Sequence, residues 1–194
     1  MKSNTTPIFH GNKGYSKKGA ERSNASYYYS VTDYETTGEI VIDKSAFEVT
    51  GNSWYDHEWS SGVLPKNVIG WDWFSITFSD SSQLMMYQLR NKEGLPTDFS
   101  AGTFIDKINK VTSLKENQFK LNPIKYWESE ATKIDYPLEW EIEIAELDIY
   151  IRIIPKINKQ EFNSTITYWE GAIDIVNKSN DLIGEGYMEL TGYN

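Results

Sequence analysis

The stretch "NSWYDHEWSSG" at 52–62 sets one imidazole, His57, among the carboxylates Asp56 and Glu58 and the rings of Trp54, Tyr55 and Trp59. An imidazole can move protons near neutral pH, a carboxylate can assist it, and aromatic faces attract positive charge. That combination suits protonation of an apolar substrate that develops a cation. Strand geometry sorts the side chains: Tyr55, His57 and Trp59 fall on one face and Trp54, Asp56 and Glu58 on the other. Two readings of His57 stand side by side, an acid/base group projecting into an apolar interior or a hydrogen-bonded, largely buried histidine with no chemical role. "HEWSS" begins like a zinc-protease motif, but Ser61 occupies the position four after His57, and His10 is the only other histidine. No metal site is expected, and no cofactor.

Other segments repeat the mixture of rings and acids. "GWDWFS" puts Trp71 and Trp73 on one strand face, opposite Asp72 and Phe74, and "LMMYQLR" groups Met85, Tyr87 and Leu89. "YWEG" and "GYMELTGY" each place an acid, Glu170 in the first, among aromatics. The candidate catalytic residues are therefore His57, Asp56, Glu58 and Glu170, and the candidate ligand-binding residues are Tyr55, Trp59, Trp71, Trp73 and Tyr87. Taken singly, Trp71, Trp73, Trp140 and Trp169 serve equally well as core. Phosphate-binding loops, dinucleotide fingerprints, nucleophile elbows and calcium loops are absent from the sequence.

The elements that must position these residues are strands. In "PLEWEIEI" Leu138, Trp140, Ile142 and Ile144 alternate with glutamates, and in "LDIYIRII" the apolar phase moves to Leu147, Ile149, Ile151 and Ile153. A tight connection near Ala145 and Glu146 accounts for the flip. Similar strands are legible at 26–33, 38–43, 46–59, 71–78 and 83–90, with helix limited to one turn at "SLKENQ". About ten antiparallel strands with short turns predict an all-β, barrel-type fold, with a two-sheet sandwich second. Residues 1–22 read as a tail or interdomain arm, and 23–194 as one barrel domain.

Bulk composition narrows the partners. The 194 residues are 39% hydrophobic and 24% charged, with net charge −9 and no cysteine. Acidity disfavours nucleic acid, the missing thiols exclude disulfides and thiolate catalysis, and no run approaches the ~20 apolar residues of a membrane helix. No signal peptide is visible in "MKSNTTPIFH".

In order, "HGNKGYSKKG", "SYYYSVT", "VTGNSWYDHEWSSG", "GWDWFSITFSD", "LMMYQLR", "YWEGAIDI" and "GEGYMELTGY" resemble the lipocalin-like superfamily of carotenoid 1,2-hydratases and AttH-type predicted secreted hydrolases. The resemblance runs along nearly the whole chain and is nearest to the AttH branch. It implies two lipocalin-like β-barrel domains in tandem, of which this chain resembles the second, with a first domain as partner and a periplasmic or secreted location. Relatives hydrate acyclic carotenoids or an isoprenoid side chain, as kievitone hydratases do, or guide intramolecular cyclisation. The resemblance points to His57, Trp59 and Tyr87 as pocket residues. The hydratase branch is expected to carry an aspartate just after that tyrosine, where this chain has Gln88 and Leu89.

The expected function is an enzyme, or enzyme domain, acting on a hydrophobic, isoprenoid- or polyketide-like substrate by hydration, hydrolysis or templated cyclisation. The alternatives are a lipocalin-like carrier of a small apolar ligand and a domain whose aromatics only pack.

Overall fold

The computed structural model describes residues 1–3, 5–62 and 64–193. The chain divides into two compact units, residues 1–63 and 64–194. The expected boundary near residue 22 and the division at 63/64 differ, for a plain reason: residues 8–17 are tied into the sheet of the first unit.

In that unit β1 (Lys2–Ser3), β2 (Ile8–Phe9) and β3 (Tyr15–Lys17) each pair antiparallel with the long strand β4 (Ala25–Ile42). The chain then reverses through Asp43 and Lys44, both at positive φ, into β5 (Ser45–Trp59). Two positive φ values make the hairpin turn whose twist matches that of the strands. The stretches 26–33 and 38–43 thus belong to one strand, interrupted by a register shift between Val31 and Tyr34. Lys18 and Glu58 are ion-paired at 3.1 Å.

Beneath this ribbon lies a buried polar chain. His10 Nε2 is 2.7 Å from Ser30 Oγ, and Ser30 donates to Asp56 Oδ1, which also accepts from Trp54 Nε1 at 3.0 Å. An ionised carboxylate only accepts, so Ser30 commits its proton to Asp56 and His10 must donate from Nε2. Burial, with the Lys18 charge adding to it, lowers the His10 pKa to about 3. Burial raises Asp56, against the Ser30, Trp54 and Tyr28 hydrogen bonds.

The second unit contains β6 (Val68–Phe78), β7 (Gln83–Asn91), β8 (Ala101–Ile105), β9 (Val111–Lys115), β10 (Lys120–Glu128), β11 (Asp135–Ile144), β12 (Ile149–Pro155), β13 (Glu161–Asn163), β14 (Thr167–Val176) and β15 (Leu182–Thr191). They form one antiparallel sheet in the order β10-β11-β12-β14-β15-β6-β7-β8-β9, with β13 on β14. The sheet curls into a lipocalin-like half-barrel, the all-β class expected. It stops short of a closed ring: β9 and β10 are its two ends, joined through a 3-10 turn at Glu116–Gln118. The phase flip after Ile144 is a second such turn, Ala145–Leu147, ended by Asp148 at φ 52°. The flip lets Trp140, Ile142 and Ile144 on β11 and Ile151 and Ile153 on β12 share one core with Phe74, Met86, Trp169 and Met188. Fully burying each such side chain stabilises by about 1.5–3 kcal/mol. The buried indole of Trp140 is satisfied by the Pro137 carbonyl at 2.7 Å.

Asp72 interrupts this apolar face as the one carboxylate among its neighbours on β6. It is completely buried and is held by Arg90 Nε at 3.0 Å, Tyr193 Oη at 2.6 Å and Gln88 Nε2 at 3.2 Å. The Arg90 guanidinium also donates to the Thr191 carbonyl and lies 3.8 Å from the centre of the Tyr193 ring. Glycine makes this closure possible. Gly192 has φ +74°, and a Cβ there would lie 2.0 Å from the Ile69 carbonyl oxygen, while one on Gly70 would lie 2.1 Å from that of Thr191.

Two outcomes follow for stability. The His10 pKa is lower folded than the ordinary value of 6.5, so the unfolded chain takes up the extra proton. The stability His10 allows is whole above about pH 6.5 and falls as the pH drops toward 3. The loss is on the order of 3 kcal/mol by pH 4, partly offset by Asp56, whose raised pKa acts in the opposite sense. Urea unfolding of the first unit should show this slope between pH 7 and 4, and His10→Gln should flatten it. Separately, Arg90→Met leaves a buried, unpaired carboxylate and should cost about 3–5 kcal/mol in urea unfolding. Asp72→Leu combined with Arg90→Met should cost less than Arg90→Met alone.

Candidate functional site

The pairing of β4 with β5 decides what His57 meets. Tyr27 lies opposite Trp59, Tyr29 opposite His57 and Val31 opposite Tyr55, whereas Tyr28 faces Glu58 and Ser30 faces Asp56. Directly opposed residues share a face. One face of the ribbon therefore carries Tyr27, Tyr29, Tyr55, His57 and Trp59, and the other carries Asp56 and Glu58.

On the aromatic face the Tyr29 hydroxyl is 3.2 Å from His57 Nδ1. The His57 ring centre lies 4.8 Å from that of Trp59, 5.4 Å from Tyr29 and 6.2 Å from Tyr55. Tyr27 stacks on Trp59 at 5.6 Å. Tyr29 occupies Nδ1 and fixes the ring, leaving Nε2 as the atom that can exchange a proton with a bound molecule. Tyr55 and Trp59 are 44% and 49% exposed, and His57 is exposed with them. The expectation that the imidazole projects into a barrel interior therefore needs correcting. His57 sits on β5, at the edge of the five-stranded sheet of the first unit, and not on a strand of the half-barrel. The buried histidine is instead His10.

Asp56 and Glu58 turn away from His57, as alternation requires. Glu58 is held by Lys18 at 3.1 Å and by Ser26, and Asp56 by Ser30 and Trp54. The structure groups these carboxylates with His10 and Lys18 rather than with His57.

The remaining candidates gather in the second unit, on the sheet face opposite its core. Glu170 on β14 lies opposite Glu189 on β15, Glu189 opposite Trp73 on β6, and Trp73 opposite Tyr87 on β7. Neighbouring strands are about 4.8 Å apart, so these four residues form one continuous row. Trp71 donates from Nε1 to Glu189 Oε1 at 2.7 Å and meets the Tyr168 ring edge-on at 6.1 Å. Burial, then the charges of Glu189 and Glu170, raises the Tyr168 phenol, and the same causes raise Tyr187. Both phenols stay protonated donors beside the two carboxylates.

Sequence reasoning singled out Trp71, Trp73, Tyr87 and Glu170 strand by strand without joining them, and it did not name Glu189; the strand register is what sets all five on one face. It also missed Tyr29 and His10. The signal for Tyr29 was present: "SYYYS" alternates at the same period as "WYDHEW", and pairing the two as a hairpin sets Tyr29 against His57. Around His10 the signal is glycine. Gly11 and Gly14 both have positive φ, and they fold 10–15 into a tight turn on β4.

A family model for AttH-like proteins matches residues 1–193. The crystal structure of a candidate AttH from Nitrosomonas europaea shares 33% identity at a TM-score of 0.91, covering 99% of this chain and 59% of that one. Kievitone hydratase from Nectria haematococca shares 18% identity at a TM-score of 0.76, covering 96% of this chain and 58% of that one. At that identity the likeness is one of fold. No curated protein sequence matches this one. The chain spans less than two thirds of either solved relative. With the family match running along nearly the full sequence, the chain belongs to the AttH-like family.

Proposed function

We propose that this protein supplies a hydratase- or hydrolase-type activity on a hydrophobic, isoprenoid- or polyketide-like substrate, with His57 as the group that gives and takes the proton. The observation that carries the reading is the Tyr29–His57 pair at 3.2 Å within the rings of Tyr55 and Trp59. Membership of the AttH-like family and the fold shared with a kievitone hydratase support it.

Hydration of an alkene illustrates the chemistry. The imidazolium N–H at Nε2 gives its proton to the less substituted alkene carbon, so a C–H bond forms as the π bond breaks. The resulting carbocation is stabilised by the faces of Trp59, Tyr55 and Tyr29, each contact contributing about 0.5–2 kcal/mol. Water adds through oxygen and returns a proton to the neutral imidazole, leaving an alcohol and the starting acid. Asp56 and Glu58 keep the ribbon in register from its other side. Glu170, with Trp71, Trp73 and Tyr87, forms a separate surface within the second unit whose acids and rings would favour positive charge.

The test uses kievitone and an acyclic carotenoid as substrates and mass spectrometry to detect the addition of one water. The wild-type chain should hydrate at least one of them, and His57→Gln should lose about a hundredfold or more in kcat with an unchanged circular dichroism spectrum. Glu58→Gln should stay within a fewfold of wild type. Full activity in His57→Gln would remove the imidazole from the mechanism, and no water addition to either substrate would remove the reaction.

A further inference from the structure

The second unit holds a cavity of about 650 Å³ that plays no part in the chemistry above. Its apolar wall comes from β10, β11 and the residue before β10, through Phe119, Leu121, Tyr126, Pro137 and Trp140. This is the size range of pockets that enclose small organic ligands. Its floor is the buried cluster of β6, β7 and the segment after β15: Gln88, Arg90 and Tyr193 all line it.

The floor is only partly used by the protein. Arg90 spends Nε on Asp72 and Nη2 on Thr191, and its Nη1 has no hydrogen-bond partner among the described residues. Gln88 spends its amide N–H on Asp72, and its carbonyl oxygen likewise has none. A donor and an acceptor thus lie two residues apart on β7, in a lining whose apolar part is rings, prolines, isoleucine and leucine. Neither Arg90 nor Gln88 is more than a tenth exposed, so a ligand that met both would gain hydrogen bonds shielded from water.

Charge selects among ligands. Asp72 neutralises Arg90 at 3.0 Å, and a second carboxylate brought to the guanidinium would meet the like charge of buried Asp72. Of the other lining charges, Lys120 is ion-paired with Glu143 at 3.1 Å, and Lys92 stands with Glu93 and Glu116. Neither sign is favoured, so the head group that fits is uncharged and able both to donate and to accept. A hydroxyl is the smallest group that does so.

We infer that this cavity is a second ligand site, taking a neutral, largely apolar molecule whose hydroxyl group docks between Arg90 and Gln88. It is independent of His57: the residues that form it all lie in the second unit, and His57 lies in the first.

The probe is 4-nonylphenol, compared with the anionic 4-nonylbenzoate of similar shape, each titrated calorimetrically below its aggregation concentration. The phenol should bind and the benzoate should bind at least about tenfold more weakly. Leu121→Trp fills the cavity from β10 and Ile69→Trp fills it from the partly exposed start of β6. Either variant that keeps the wild-type melting profile should abolish phenol binding. Gln88→Met should weaken it by about tenfold, the worth of one buried hydrogen bond. His57→Gln should bind the phenol as wild type does, so failure of the proposed hydration and failure of this site are read separately. Equal binding of phenol and benzoate, binding retained in both tryptophan variants, or no phenol binding to wild type would each overturn the inference.

Discussion

A carboxylate completely removed from water governs the second unit. Moving an ion into a protein interior costs several kcal/mol even after relaxation, and the cost is met only where the geometry of its partners is good. Asp72 meets it with a guanidinium, a phenol and an amide drawn from β7 and from the chain beyond β15. Those partners stand 18, 121 and 16 residues away, so the cluster works as a long-range clasp. It fixes where β15 ends and how Tyr193 lies. Because Tyr193 must reach Asp72, the backbone passes so near β6 that only glycine fits at 70 and 192. The same clasp leaves Arg90 Nη1 and the Gln88 carbonyl as the polar floor of the cavity. A requirement of stability therefore sets the chemistry of a binding surface.

In the first unit the governing constraint is strand parity. A two-residue period sends Tyr55, His57 and Trp59 to one side and Asp56 and Glu58 to the other, and this much was legible from one segment. What lies across from each residue was not, because register belongs to the pair of strands. Tyr29 becomes the partner of His57, and Ser30 that of Asp56, only once β4 and β5 are aligned with their shift between Val31 and Tyr34. Exposure was illegible for the same reason. An aromatic strand face reads alike whether it lines a barrel or borders a ribbon, and the difference lies in what covers it.

Legibility elsewhere followed the strength of the local pattern. The flip between "PLEWEIEI" and "LDIYIRII" marks the turn at Ala145–Leu147 because a strand with one wet face cannot change phase silently. "LMMYQLR" shows no alternation in burial because β7 is buried on both faces: Met86 and Leu84 join the core, while Met85 and Tyr87 are buried on the opposite face. Along β10 the two-residue alternation is broken by register shifts between Pro123 and Lys125 and between Lys125 and Tyr126. The opening residues offered no periodicity, since β2 and β3 are too short to show any. Their order comes from pairing with β4 and from His10.

The two histidines illustrate how the fold divides proton chemistry from architecture. His10 is surrounded by Tyr28, Ser30 and Lys18, and burial keeps its ring neutral down to about pH 3. Such a ring cannot act as an acid near neutral pH, and its hydrogen bond is committed to Ser30. His57 has the complementary arrangement: one nitrogen steadied by a phenol, the other open, and aromatic faces within 4.8–6.2 Å of its centre. Proton transfer to an alkene is favoured by that asymmetry, because the hydrogen bond at one nitrogen aims the ring and leaves the other nitrogen to meet the substrate. On the proposed reading, the exposed aromatic face also leaves water free to reach a cation formed there, which a sealed apolar core would exclude. The cavity of the second unit, with its neutral floor, suits retention of a molecule rather than reaction.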